Sequence, residues 1–166
     1  YGITVLTPTT YGHQVTRQQR QGGGIYTRIA CSLLRSAAFP DPRRDSGRHE
    51  FVHVIAPGTD IADAVRLADE QSFGVRTVLG AGPVAPAVEV TGDSVALEAL
   101  KLAEDGSGDV IVRIRETCGT ASPASVRLSL APFAVECDLI ERPTGDTDPV
   151  NLRLRPFEVK TLRFRR

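Results

Sequence analysis

The sequence predicts an all-β chain in which a terminal antiparallel β-sandwich is joined by one short helix to the last strands of a sheet that is incomplete. Three observations carry this prediction. Runs in the second half alternate apolar and polar residues with period two, the pattern of strands that wet one face. Glycine and proline turn signals separate those runs at short intervals. One stretch alone, residues 57–74, combines helical spacing with start and stop signals.

Residues 1–56 open with Ile3, Val5 and Leu6, a strand that ends at Thr7-Pro8. Gly22-Gly23-Gly24 lacks the GxxxxGK[ST] form and precedes a strand, so it reads as a loop and not as a phosphate cradle. A second strand is expected from Ile25 to Leu34, and a short one from Phe51 to Ile55. Two or three strands cannot cover their own faces, so this zone reads as the end of a larger sheet. In residues 57–74, Pro57-Gly58 is a breaker pair and Thr59 or Asp60 can cap a helix. Asp63 suits its first turn, Ile61, Val65 and Ala68 share a face, and Gly74 stands at the stop. Residues 75–166 alternate at Val126-Leu128-Leu130, Val135-Cys137-Leu139 and Leu152-Leu154, with turns at Gly106-Ser107-Gly108, Ser122-Pro123, Ala131-Pro132 and Thr144-Gly145-Asp146. Ser94 to Glu104 favours helix by propensity, yet Val95, Leu97 and Ala99 alternate and the phase slips by one at Leu100 and Leu102. A bulged strand explains the slip. A similar slip separates Phe157 and Val159 from Leu162 and Phe164.

Composition narrows the function. Across 166 residues Lys plus Arg equals Asp plus Glu, which removes nucleic acid and acidic membrane as main partners. No run approaches the roughly eighteen apolar residues of a membrane span. Tyr1 leads directly into a strand-like run and no Met is present, so the chain reads as a processed or excised piece without a signal peptide. The lack of Trp and the low aromatic content weigh against a free-standing carbohydrate-binding module. Cys31, Cys118 and Cys137 have no CxxC spacing, and their odd number suits a reducing compartment. Cys31 and Cys137 read as small buried hydrophobes.

The densest polar cluster runs from Pro40 to Phe51, with three carboxylates, His49 and three arginines. Such groups can serve acid–base or metal chemistry, but the spacing matches no metal motif. By composition it reads as a solvated loop whose opposite charges pair with one another. His13 and His53 read as structural.

Four blocks carry a resemblance. Thr10-Tyr11-Gly12-His13-Gln14-Val15 resembles the "KYG-Y/H-DV" step of family 38 α-mannosidases. Ser32-Leu33-Leu34-Arg35-Ser36, Phe39-Pro40-Asp41-Pro42 and Asp45 to Phe51 together resemble that family's "LSLLRSP..PDP..D.G.HEF" signature, and the long form of the block resembles its cytosolic and bacterial branch, which implies a cytoplasmic protein. Val112 to Thr117 is similar to its "VRLYE" strand, and Leu154 to Leu162 to its closing "L.PFEIKTL". Gln14 replaces an expected Asp, Arg115 stands where an aromatic is usual, and Thr16 to Gly24 lengthens the first loop.

The resemblance implies a division of the chain. Residues 1–56 would be the last strands of a galactose-mutarotase-like β-supersandwich, 57–74 a helical connector, and 75–166 the terminal β-sandwich. It implies that the parent hydrolyses α-mannosides with retention, using a carboxylate nucleophile and a divalent metal, usually zinc, in an N-terminal catalytic domain. It places no cofactor, metal ligand or catalytic residue in this chain. The partners implied are that catalytic domain and, through it, a mannoside; a homo-oligomer is also compatible. The active-site wall would take Arg35, at the end of the "LLR" strand, with Tyr11, His13, Asp41, Asp45 and His49. Arg35 would orient acidic groups of the metal site. Asp45 and His49 would hold their loop in shape. The alternative is a stand-alone β-sandwich that binds carbohydrate or protein, and titration of residues 75–166 with manno-oligosaccharides separates the two.

Overall fold

In a computed structural model, which describes residues 2–75, 77–80 and 82–165, the chain divides into two units, residues 1–74 and 75–166. In the first, β1 (Ile3–Leu6), β2 (His13–Gln19), β3 (Ile25–Cys31) and β4 (Val54–Pro57) form two separate antiparallel pairs, β1 with β4 and β2 with β3. β2 carries no strand signal of its own, because Val15 is its one apolar residue. It forms through its partner: the register runs from His13 opposite Cys31 to Gln19 opposite Ile25. Gly22, Gly23 and Gly24 take φ of 100°, 99° and 94°, which residues with a Cβ rarely adopt. The reversal is closed by the Arg20 N–H donating to the Gly24 carbonyl at 3.0 Å. The stretch from Thr16 to Gly24, read above as loop, is therefore half strand. The fourth strand also differs from expectation, since Phe51 to His53 lie ahead of it and Pro57 ends it.

The helix follows its signals closely. α1 (Ile61–Phe73) is capped by Asp60, whose carboxylate accepts from the Asp63 N–H at 2.9 Å. The Asp63 carboxylate accepts in return from the Asp60 N–H at 3.3 Å, which completes a capping box. Gly74 closes the end with its N–H on the Glu70 carbonyl. Arg66 bridges Asp63 at 3.3 Å and Glu70 at 2.9 Å along the outer face. Asp60→Ala is expected to weaken the helix by about 1 kcal/mol. The change is read as faster amide hydrogen exchange across Ile61–Phe73, and unchanged exchange contradicts the cap's role.

The second unit is built of β5 (Val88–Thr91), β6 (Val95–Leu102), β7 (Val110–Glu116), β8 (Ser122–Leu128), β9 (Ala134–Cys137), β10 (Pro143–Thr147), β11 (Leu152–Leu154) and β12 (Val159–Phe164). A five-stranded sheet of order β10-β9-β12-β7-β6 and a three-stranded one of order β11-β8-β5 supply its core. Val112 and Ile114 of β7, Val126 and Leu128 of β8, Leu152 and Leu154 of β11, and Leu162 and Phe164 of β12 are all buried in it. The expected bulge lies in β6. Leu97 faces Ile114 and Ala99 faces Arg113, so Glu98 is the extra residue and the phase moves to Leu100 and Leu102.

Several expectations fail in detail, and Ser122-Pro123 is not a turn but the start of β8, paired with Leu154 and Arg153. Leu130 and Leu139 do not extend the rows of β8 and β9; both stand past the strand ends and are exposed. Thr144-Gly145-Asp146 is not a free turn but the body of β10, whose pairing with β9 shifts register between Pro143 and Gly145. The slip before Leu162 is not a bulge, because the β12–β7 register runs unbroken from Val159 to Phe164. Phe157 simply lies in the preceding turn, at φ 57°, and never joins the apolar row. Cys137 is buried as expected, whereas Cys31 is only half-buried.

Candidate functional site

Gly12 sets the first part of the site. The Ser32 N–H donates to its carbonyl at 2.8 Å, one step beyond the last β2–β3 pair. A Cβ on Gly12 would stand 3.0 Å from the Ser32 Cβ, so glycine is what lets the two strands approach. Tyr11 is therefore presented beside the hairpin base and is 88% exposed. His13 turns back on its own chain, with Nε2 3.2 Å from Thr7 Oγ1 and Nδ1 3.3 Å from the Tyr11 carbonyl oxygen.

The second part is the loop after β3. Asp45 Oδ2 accepts from the Ser36 N–H at 3.0 Å, which ties the residue after Arg35 to the residue after Arg44. Both Ser36 (φ 46°) and Asp45 (φ 63°) are left-handed, a conformation Asp tolerates through its short polar side chain. His49 Nε2–H donates to the Asp45 carbonyl at 2.9 Å, and its ring stacks on Phe51 with centroids 6.1 Å apart. Asp41 Oδ1 accepts from the Arg43 N–H at 2.9 Å. Asp41, Asp45, His13 and His49 thus spend polar atoms on shaping backbone. Arg35 and Tyr11 are exposed and, among the described residues, their side chains have no hydrogen-bonding or ion-pair partner. The expected pairing of opposite charges within the loop does not occur. Its carboxylates Asp41 and Asp45 are taken by nearby backbone N–H groups, and no arginine of the loop is in an ion pair among the described residues.

A different carboxylate was hidden inside a strand block. Glu116, at the end of β7, is fully buried. Its Oε1 accepts from the Cys118 N–H at 2.9 Å and the Thr120 hydroxyl at 3.2 Å. Its Oε2 accepts from the Gly119 N–H at 2.8 Å and the Phe157 N–H at 2.9 Å. Burial opposes the charge, but the Phe157, Cys118, Thr120 and Gly119 donors outweigh it and hold the carboxyl at about 2. Gly119 has φ 74°, and a Cβ there would stand 2.7 Å from the Phe157 ring. Four satisfied donors make this a clamp between the β7–β8 loop and the β11–β12 turn. The one sequence signal was a charged residue in the inward row of Val112 and Ile114.

Among the described residues no three His, Cys, Asp or Glu side chains are grouped to hold an ion. No helix among the described residues is long and apolar enough to cross a membrane.

Residues 94–162 match the family described as "Glycosyl hydrolases family 38 C-terminal beta sandwich domain", and this range spans the second unit's sandwich from the start of β6 into β12. The class is thus a β-sandwich domain of a glycosyl hydrolase. Three curated relatives align with nearly the whole chain. "Alpha-mannosidase 2C1" of Homo sapiens is 30% identical over 98% of it, and "Alpha-mannosidase G" of Dictyostelium discoideum 26% over 99%. "Alpha-mannosidase" of Saccharomyces cerevisiae is 28% identical over 98%. The chain belongs to glycoside hydrolase family 38, as its C-terminal β-domain region. It spans only 16–17% of the length of these relatives.

Proposed function

We propose that this chain is the non-catalytic C-terminal portion of a metal-dependent retaining α-mannosidase, where it supports the catalytic domain and helps to wall the active site. One observation carries the reading. Among the described residues of the first unit only Thr4 is buried, while Ile3, Val15, Ile25, Leu33, Leu34, Phe39, Ile55, Ile61 and Phe73 are all exposed. Two separate two-stranded pairs and a helix without a buried residue leave the first unit's apolar faces uncovered. Facing partners put Val15 opposite Ile29, and Ile25 opposite Gln19, on one side of the hairpin. Between β1 and α1 an open apolar groove is lined by Ile3, Ile61, Ala64, Val65 and Ala68. These surfaces fit further β-structure of the same polypeptide.

On this reading residues 1–56 end a β-supersandwich, 57–74 connect, and 75–166 form the terminal sandwich. The metal, zinc by the family resemblance, and the nucleophile belong to the upstream catalytic domain; the odd cysteine count is in keeping with a cytoplasmic enzyme. The test is association in trans. The purified chain, mixed with the separately expressed upstream polypeptide, is expected to form a one-to-one complex in analytical ultracentrifugation. Two species that sediment independently contradict the reading. In the complete polypeptide, Arg35→Ala is expected to cut kcat on an aryl α-mannoside about tenfold or more without changing the melting temperature. A variant that fails to fold instead reassigns Arg35 to structure.

A further inference from the structure

The charges of this neutral chain are segregated. Residues 1–56 hold seven arginines against three carboxylates, a surplus of four positive charges. None of the seven is in an ion pair among the described residues. In residues 57–166, by contrast, Arg66, Lys101, Arg115, Arg142, Arg155, Lys160 and Arg163 each reach a carboxylate. In the first unit Arg20 lies over the Tyr26 ring at 5.8 Å, and Arg43, Arg44 and Arg48 stand exposed on one loop.

That loop is shaped. The Arg44 N–H donates to the Asp41 carbonyl and the Ser46 N–H to the Arg43 carbonyl, each at 3.1 Å. The Asp45–Ser36 bond fastens it to the stretch of Leu33, Leu34 and Arg35. Asp41 and Asp45 meet backbone N–H groups, so their charge is directed at the main chain and not at a guanidinium. Leu33, Leu34 and Phe39 are exposed beside the arginines, Phe39 at 87%.

We propose that the segment from Leu33 to Arg48 docks on a carboxylate-rich protein surface carried by the upstream part of the same polypeptide, with Arg43, Arg44 and Arg48 forming the ion pairs. The proposal rests on the function proposed above and names the chemistry of its interface. Guanidinium forks match carboxylates in two-point geometry. Arginine interleaved with leucine and phenylalanine is the composition of protein interfaces, not of a site for a free anion. A second copy of this chain is the poorer occupant, because a two-fold contact through this face would set like charges against each other.

The test compares the chain with its Arg43→Gln/Arg44→Gln/Arg48→Gln variant for binding to the separately expressed upstream polypeptide. At about 50 mM NaCl the variant is expected to bind about tenfold more weakly or worse, and the two are expected to converge near about 500 mM. Equal affinity and equal salt dependence overturn the proposal while leaving the function above intact. No binding by the unaltered chain at any salt overturns both. A dimer of the unaltered chain that the triple change dissolves also overturns it, by making a second copy the occupant. A second measurement uses the complete polypeptide. Its triple variant is expected to inactivate at a lower temperature at low salt and to match the unaltered protein at high salt; identical midpoints throughout count against the proposal.

Discussion

Phe164→Ala is expected to destabilise the second unit by about 3–5 kcal/mol, among the largest losses any single substitution in this chain produces. Phe164 is 1% exposed and lies in the core with Val112, Leu128, Ala131 and Leu162. It also pairs with Ala134 on one side and Val110 on the other, so its ring fills the sandwich where β12 meets both neighbours. Alanine leaves a cavity that the flanking strands cannot close, because both are fixed by the same ladder of hydrogen bonds. In a urea titration the midpoint falls with little change in slope. A loss below about 1 kcal/mol would show that the core collapses around the gap and that β12 is not its centre.

The second large effect belongs to Glu116. Glu116→Gln keeps the shape but replaces one accepting oxygen by an NH2 group. If Oε2 is replaced, the Gly119 and Phe157 N–H groups both face another donor in a buried site; if Oε1 is replaced, the Cys118 N–H does, while the Thr120 hydroxyl can turn to accept from the amide. The melting temperature is expected to drop on the order of 10 °C. Acid unfolding reports the same group. The Glu116 carboxyl sits at about 2 in the fold, below the ordinary 4.5, so its stabilisation is complete above about 4.5. It is lost as pH falls through that value towards about 2, because the unfolded chain takes up the proton first. Asp105, also held at about 2, by the Ser107 backbone N–H and hydroxyl and by Arg163, adds to the same window. The Gln variant is expected to start lower and to lose less stability between pH 4.5 and 2. A variant whose acid profile parallels the unaltered chain's would remove Glu116 from the clamp.

Much of this structure could be read from the residues. Asp60, Asp63 and Gly74 marked the helix because caps are local, and their chemistry needs no distant partner. The β6 bulge was legible because one extra residue changes which side chains face the core. β2 was not legible, since its polar residues become a strand only through pairing with β3. β10 was missed for a related reason: Pro143 and Gly145 are turn residues that an edge strand tolerates at a bulge. Within the candidate site, the polar loop could be found by composition, but its partners could not. Asp45 reaches back to Ser36, nine positions away, instead of joining an arginine close by. Glu116 escaped notice because an acidic residue at the end of an apolar strand usually faces water, and only the meeting of two loops reveals its four donors.

Hydrolysis of an aryl α-mannoside tests the central claim most directly, with the purified 166-residue chain assayed alone and after mixing with its upstream polypeptide and zinc. The account predicts no turnover by the chain alone and turnover by the mixture. Turnover by the chain alone would place the bond-breaking groups within these strands and contradict it.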